Sequence, residues 1–97
     1  MPPFGRLAAL IVSGRDLAQV RRLATLIARA APDLSGVRVL GPAPAPLALL
    51  RGRYRQRLLV IAAPGIDLPA VLRSWLKGRR PPGDLRLQVD VDPYSFL

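Results

Sequence analysis

Three prolines at alternate positions, Pro42, Pro44 and Pro46, restrict this chain more than any other feature. Each removes a backbone N–H donor and fixes φ. The piece Gly41-Pro42-Ala43-Pro44-Ala45-Pro46 must therefore run extended, and it cannot sit in the middle of a sheet. A sheet interior has to come from the segments on either side.

Those segments are present. Arg6–Val12 is apolar on both faces, as Leu7, Ala9 and Ile11 alternate with Ala8, Leu10 and Val12. This reads as a central strand buried on both sides. Ser13-Gly14-Arg15 turns the chain, and Asp16 with Gln19 three residues on forms a weak capping box. Leu17, Val20, Leu23, Ala24, Ile27 and Ala31 follow at helical spacing, and Pro32 and Gly36 end that region. Val37–Leu40 reads as a short second strand before the prolines, and Leu47–Leu50 as a helical turn. Gly52 opens a long third strand, Arg53–Ala62, which Pro64-Gly65 breaks. Asp67 caps a second helix with Pro69 in its first turn. Leu68, Val71, Leu72, Trp75 and Leu76 form its apolar stripe, which Gly78 and Pro81-Pro82-Gly83 terminate. Leu85, Leu87, Val89 and Val91 alternate with Arg86, Gln88, Asp90 and Asp92, a half-buried strand.

The order β-α-β-β-α-β predicts an α+β, ferredoxin-like split βαβ fold: a four-stranded antiparallel sheet with two helices on one face. Right-handed crossovers place the first and third strands centrally and the second and fourth at the edges. The length of 97 residues suits a single domain, residues 1–97, with one modest core.

Composition excludes much chemistry. The chain has no His, Cys, Glu or Asn. It therefore has no thiolate nucleophile, imidazole base, soft-metal site or disulfide, and autonomous catalysis is not expected. Asp90 and Asp92 share a strand face but provide too few oxygens for a hard cation; pairing with Arg6 or Arg86, or blunting of an edge strand, is the expected role. The apolar run Leu7–Val12 is far short of the roughly 20 residues that span a membrane. Pro2, Pro3 and Phe4 after Met1 do not resemble a signal peptide, so the expected location is the cytoplasm.

Charge is uneven. The net +9 divides into +4 over residues 1–50, +7 over 51–80 and −2 over 81–97. The centre of positive charge is Arg51-Gly52-Arg53-Tyr54-Arg55-Gln56-Arg57. On a strand, Arg53, Arg55 and Arg57 share one face at steps of about 6.8 Å, which suits the phosphates of an extended nucleic-acid strand. The competing reading is a solvated hairpin face that blocks edge-to-edge pairing. Tyr54, on the opposite face, either packs on the core or stacks on a base. Lys77, Arg79 and Arg80, with Arg73 one helical turn before Lys77, make a second basic cluster. It either suits the C-terminal dipole of the second helix or extends a phosphate-binding surface. Leu59 and Ile61 share the arginine face, so that face is apolar too, and it calls for cover by another domain or a partner. A β-bulge near Arg57 that resets the alternation is the alternative.

Several stretches resemble one family in order along the chain: Pro2-Pro3-Phe4-Gly5-Arg6-Leu7-Ala8, Val39-Leu40-Gly41-Pro42-Ala43-Pro44-Ala45-Pro46-Leu47, Leu50-Arg51-Gly52-Arg53-Tyr54-Arg55 and Val89-Asp90-Val91-Asp92-Pro93. They resemble the C-terminal domain of the PriA family, primosomal protein N′, a bacterial replication-restart helicase. The resemblance implies a parent that is an ATP-dependent 3′-to-5′ DNA helicase, with nucleotide-Mg and zinc sites outside these residues. It implies a non-catalytic, cytoplasmic DNA-binding and docking module excised from a much longer bacterial chain. Its partners would be forked or single-stranded DNA, the helicase core and single-stranded-DNA-binding protein (SSB). Arg51, Arg53, Tyr54 and Arg55 coincide with the family's basic hairpin; Arg57, Lys77, Arg79 and Arg80 complete the expected DNA-binding set. Some relatives carry a basic residue near the start of the second helix to help receive the acidic SSB tail. Asp67 has the opposite charge and would repel it.

Two further expectations compete with DNA binding. The domain could serve mainly as a docking module through the Leu59 and Ile61 face, or be a free-standing RNA-binding protein.

Overall fold

The computed structural model describes residues 5–92. The Pro2-Pro3-Phe4 and Pro93 parts of the family motifs lie outside the described residues. The elements are β1 (Arg6–Gly14), α1 (Leu17–Arg29), β2 (Val37–Leu50), β3 (Arg53–Ala62), α2 (Leu68–Leu76) and β4 (Arg86–Val91). They form one sheet in the order β2-β3-β1-β4 with every pairing antiparallel. This is the expected split βαβ arrangement. Each helix crosses over one intervening strand, which leaves β1 and β3 central.

The helices begin where their caps predict. The Asp16 carboxylate accepts from the Ala18 and Gln19 N–H groups, at 2.9 and 3.3 Å. Asp67 accepts from the Ala70 N–H at 3.1 Å, satisfying a donor that the first turn of α2 leaves free. Both helices lie on one face of the sheet. Val20, Ala24 and Ile27 of α1 and Leu68, Leu72 and Trp75 of α2 pack on Ala8, Leu10 and Val12 of β1 and on Leu58, Val60 and Ala62 of β3. The Trp75 indole N–H donates to the Ile27 carbonyl at 3.0 Å, so the two helices are joined by a buried polar contact as well as by area.

The second strand differs from expectation. It continues through the prolines to Leu50, and Leu47–Leu50 is strand rather than a helical turn. The prolines are tolerated because β2 is an edge strand: only one side of it pairs. Pairing across the turn explains the rest, since Leu49 and Leu50 face Tyr54 and Arg53 in the ladder. Arg51 and Gly52, both at positive φ (52° and 78°), make the two-residue turn whose twist matches a hairpin.

No bulge interrupts β3. Its pairing with β1 runs unbroken from Tyr54 opposite Gly14 to Ala62 opposite Arg6. The irregularities lie in β2, between Leu40 and Ala43 and between Pro44 and Leu49. Gly41, at φ 103°, sits at the first; a Cβ there would come within 2.7 Å of the Arg57 carbonyl oxygen. The alternation of β3 therefore stands, and Arg57, Leu59 and Ile61 do share the face away from the helices. Val89 departs from its expected place: β4 is an edge strand, and Val89 is 42% exposed.

Candidate nucleic-acid interface

The arginines of the hairpin divide by position. Arg53, at the start of β3, is turned inward against the end of β1 and the α2–β4 connection. Its guanidinium donates to the Ser13 carbonyl and hydroxyl at 3.1 and 3.3 Å and to the Asp84 carbonyl at 2.7 Å. It also pairs with the Asp84 carboxylate at 3.5 Å. Asp84 in turn accepts from the Arg15 N–H at 2.9 Å. Strand ends leave carbonyls without ladder partners, and a five-donor fork can satisfy several at once. Arg53 thus ties β1, β3 and the α2–β4 connection together.

Arg55 has a similar task one residue pair further on. It donates to the Pro46 and Leu47 carbonyls, at 2.6 and 3.3 Å, and so holds the excursion that β2 makes after Pro44. Arg57 lies on the open face opposite Ile11 and Ala43 and is also engaged within the protein. Tyr54 packs against the core cluster from the helix-covered face. The row that spacing alone would offer to a phosphate backbone is therefore largely bound to the protein itself.

Other cations remain available. Arg51 at the turn, and Lys77 and Arg80 after α2, are exposed and have no ion pair among the described residues. Arg79 is exposed as well, with its Nε donating to the Trp75 carbonyl at 3.0 Å, an interaction that closes the end of α2. The Arg53–Asp84 contact brings the hairpin and the α2–β4 connection to the same end of the sheet. On the far side of that connection lies a groove of about 680 Å³, lined by Gln19, Arg22, Leu26, Arg79, Arg80 and Pro82 among others, with no carboxylate in its wall. Arg15 and Arg86 are exposed at this end too, Arg86 beside Ser13 in the ladder. The two basic stretches thus lie at the same end of the sheet, tied through the Arg53–Asp84 contact. Sequence reasoning missed Arg15, Arg22 and Arg86 because they join the cluster only through the fold; the Pro82-Gly83 turn was the one local signal.

The opposite end is closed by charge pairing. Arg6 donates to Asp92 from Nε and a terminal nitrogen at 3.0 and 2.9 Å, and the Leu7 N–H donates to the other carboxylate oxygen at 3.1 Å. The Leu7 bond first, then Arg6, hold the Asp92 carboxyl below its ordinary value. This is the Arg6 pairing expected for the acidic strand. No group of three or more metal-ligating side chains occurs among the described residues. No helix among them is long and apolar enough to cross a membrane.

A split βαβ sheet with a cationic end and a bare, partly apolar second face defines a small α+β accessory domain. Residues 1–94 match the family described as primosomal protein N C-terminal domain, and the chain belongs to that family. It is similar to the replication restart protein PriA of Rickettsia felis and of Rickettsia conorii, 38% identical over 96 residues in each case. Those alignments cover 99% of this chain and 15% of each relative. The replication restart protein PriA of Treponema pallidum is 34% identical over 102 residues, again 99% of this chain and 15% of the relative. The chain thus corresponds to about 15% of the length of these curated relatives.

Proposed function

We propose that this chain is the terminal, non-catalytic domain of a replication-restart helicase and that its cationic end grips DNA phosphates at forks or single strands. The observation that carries this reading is the Arg53–Asp84 contact, which sets the turn bearing Arg51 and the connection that follows Lys77, Arg79 and Arg80 at one end of the sheet, with Arg15 bonded to the same Asp84 and Arg22 in the groove beside Arg79 and Arg80. Guanidinium and ammonium groups neutralise phosphates without reading bases, and each contact releases condensed counterions. Arg53 and Arg55 support this surface from below by fixing the hairpin; Arg57 and Tyr54 shape its strand. Zinc would belong to another part of such a parent, because this chain lacks Cys and His, and nucleotide with magnesium would too, because it has no Gly-Lys-Ser/Thr phosphate loop. The work of such a parent is cytoplasmic.

The test is a titration of the chain with forked DNA by fluorescence anisotropy between about 50 and 200 mM salt. Affinity should fall steeply, by a slope of about 0.9 for each phosphate contacted. Absence of binding at the lowest salt, with the fold intact, would overturn the reading.

The open sheet face supports a second role. Leu7, Ile11, Leu59 and Ile61 lie together there with buried Ala9, and neither α1 nor α2 covers them. An apolar sheet face of this kind suits docking against the remainder of the longer protein. Leu59→Asp should abolish association with that remainder while leaving DNA affinity unchanged. SSB remains a partner suggested by family resemblance alone, and Asp67, exposed at the start of α2, disfavours it.

A further inference from the structure

The β2–β3 hairpin ends in leucine. Leu47, Leu49 and Leu50 are 68%, 58% and 41% exposed, while the buried leucines of this chain face the helices. Exposed leucine at a turn gains nothing from the core, and here it is held out actively. Between the pairs Pro44–Gln56 and Leu49–Tyr54, β2 has three residues more than β3, and the surplus bulges from the edge. Leu47 within it adopts φ 55°, a left-handed conformation that a leucine rarely takes. The two Arg55 hydrogen bonds to Pro46 and Leu47 maintain that excursion. A strained apolar residue kept exposed by a dedicated guanidinium points to a use for it.

The electrostatic setting selects the occupant. No acidic residue occurs between Asp33 and Asp67, so the whole hairpin is cationic or neutral. Arg51 stands on the turn between Leu50 and Gly52, and the Arg53–Asp84 contact sets the hairpin at the same end of the sheet as the connection that follows Arg79 and Arg80. Leu49 shares the Tyr54 face and Leu50 the Arg53 face, so the tip is apolar on both of its sides, and such a tip bordered by arginines complements the exposed face of a terminal base pair, which is apolar and bordered by phosphates. A two-stranded tip, with strands about 4.8 Å apart, is narrow enough to meet one base pair. Leucine is among the side chains that proteins insert against unstacked base steps.

We infer that the Leu47, Leu49 and Leu50 tip is a wedge that packs on the end base pair at the junction of a forked duplex and unstacks it. This rests on the DNA-binding role proposed above and assigns the hairpin the junction within it. No ATP is needed, because binding energy from the phosphate contacts offsets the lost stacking.

The experiment uses the 97-residue chain with a fork carrying 2-aminopurine at the junction, and a second fork with the probe in the duplex interior. The wild-type chain should raise fluorescence at the junction and not in the interior. Leu47→Ser/Leu49→Ser/Leu50→Ser should lose that rise while its Kd stays within about threefold, since phosphate contacts remain. Leu50→Met, which keeps apolar bulk, should retain it. These side chains lie outside the core, and an unchanged circular dichroism spectrum confirms that the serine variant is folded. A junction signal that survives the serine substitutions, or equal signals at both probe positions, overturns the wedge. Binding without any junction signal also overturns it and leaves the DNA-binding role standing; failure to bind at low salt removes both. Retained junction opening together with lost association with the rest of the parent would assign the leucines to a protein contact instead.

Discussion

Arg51 and Arg53 are two residues apart and carry the same side chain, yet the fold gives them opposite roles. Arg51 sits on a two-residue turn with no strand end beside it and stays exposed. Arg53 begins a strand next to the end of β1, where carbonyl oxygens lack partners, and its side chain is only 16% exposed. The same division separates the whole β3 row from the residues that follow α2. Local density of positive charge is therefore a poor guide to which cations can reach a ligand. Proximity to unsatisfied carbonyls is a better one, because each bond made inside the protein is a bond withheld from phosphate.

The largest expected effect lies on the exposed side of this comparison. Arg51→Ala/Lys77→Ala/Arg80→Ala should weaken fork binding about 100-fold near physiological salt and flatten the salt slope by between about two and three, with no change in melting temperature. Equal affinity of this variant and the wild type in anisotropy titrations would break the division. On the inward side, Arg53→Ala should cost about 2 kcal/mol of stability in urea unfolding, since it leaves the Ser13 and Asp84 acceptors without their charged donor. Arg55→Ala alone should cost about 1 kcal/mol, because its bonds to Pro46 and Leu47 are more exposed. Faster amide exchange confined to the hairpin would locate the effect.

The smallest effect concerns the opposite end. Asp92 has a depressed folded-state pKa, so its contribution is fully present above the unfolded value of about 4 and is lost as pH falls through the folded value. Asp92→Asn should flatten the fall in stability below about pH 4 and leave neutral-pH DNA affinity unchanged. The group is 46% exposed, so solvent screening keeps the effect modest. Urea midpoints at about pH 3 and pH 6 for both proteins check this.

Much of the fold was readable residue by residue. Asp16 and Asp67 announced both helix starts, and the apolar stripe of α2 named Trp75 as core before its bond to Ile27 was known. Leu47–Leu50 was misread because a short apolar run has no period of its own; pairing with β3 decided it. The alternative of a bulge near Arg57 was left open for a related reason, since a bulge in β2 and one in β3 leave the same residues in the chain and differ only in register. The candidate site was legible as two basic stretches. Their placement at one end of the sheet was not, because it depends on Asp84 accepting from Arg15 and Arg53, residues 69 and 31 positions away.

By itself, then, the amino-acid order determined what depends on short-range sterics and periodicity: an extended proline run kept out of the sheet interior, two capped helices, a β-α-β-β-α-β order and a concentration of arginine. Only the tertiary structure decided which arginines serve the fold and which face solvent, and that three leucines stand exposed at a hairpin tip. Those outcomes turn on carbonyls and strand ends brought together from distant parts of the chain, and spacing along a single segment has no access to them.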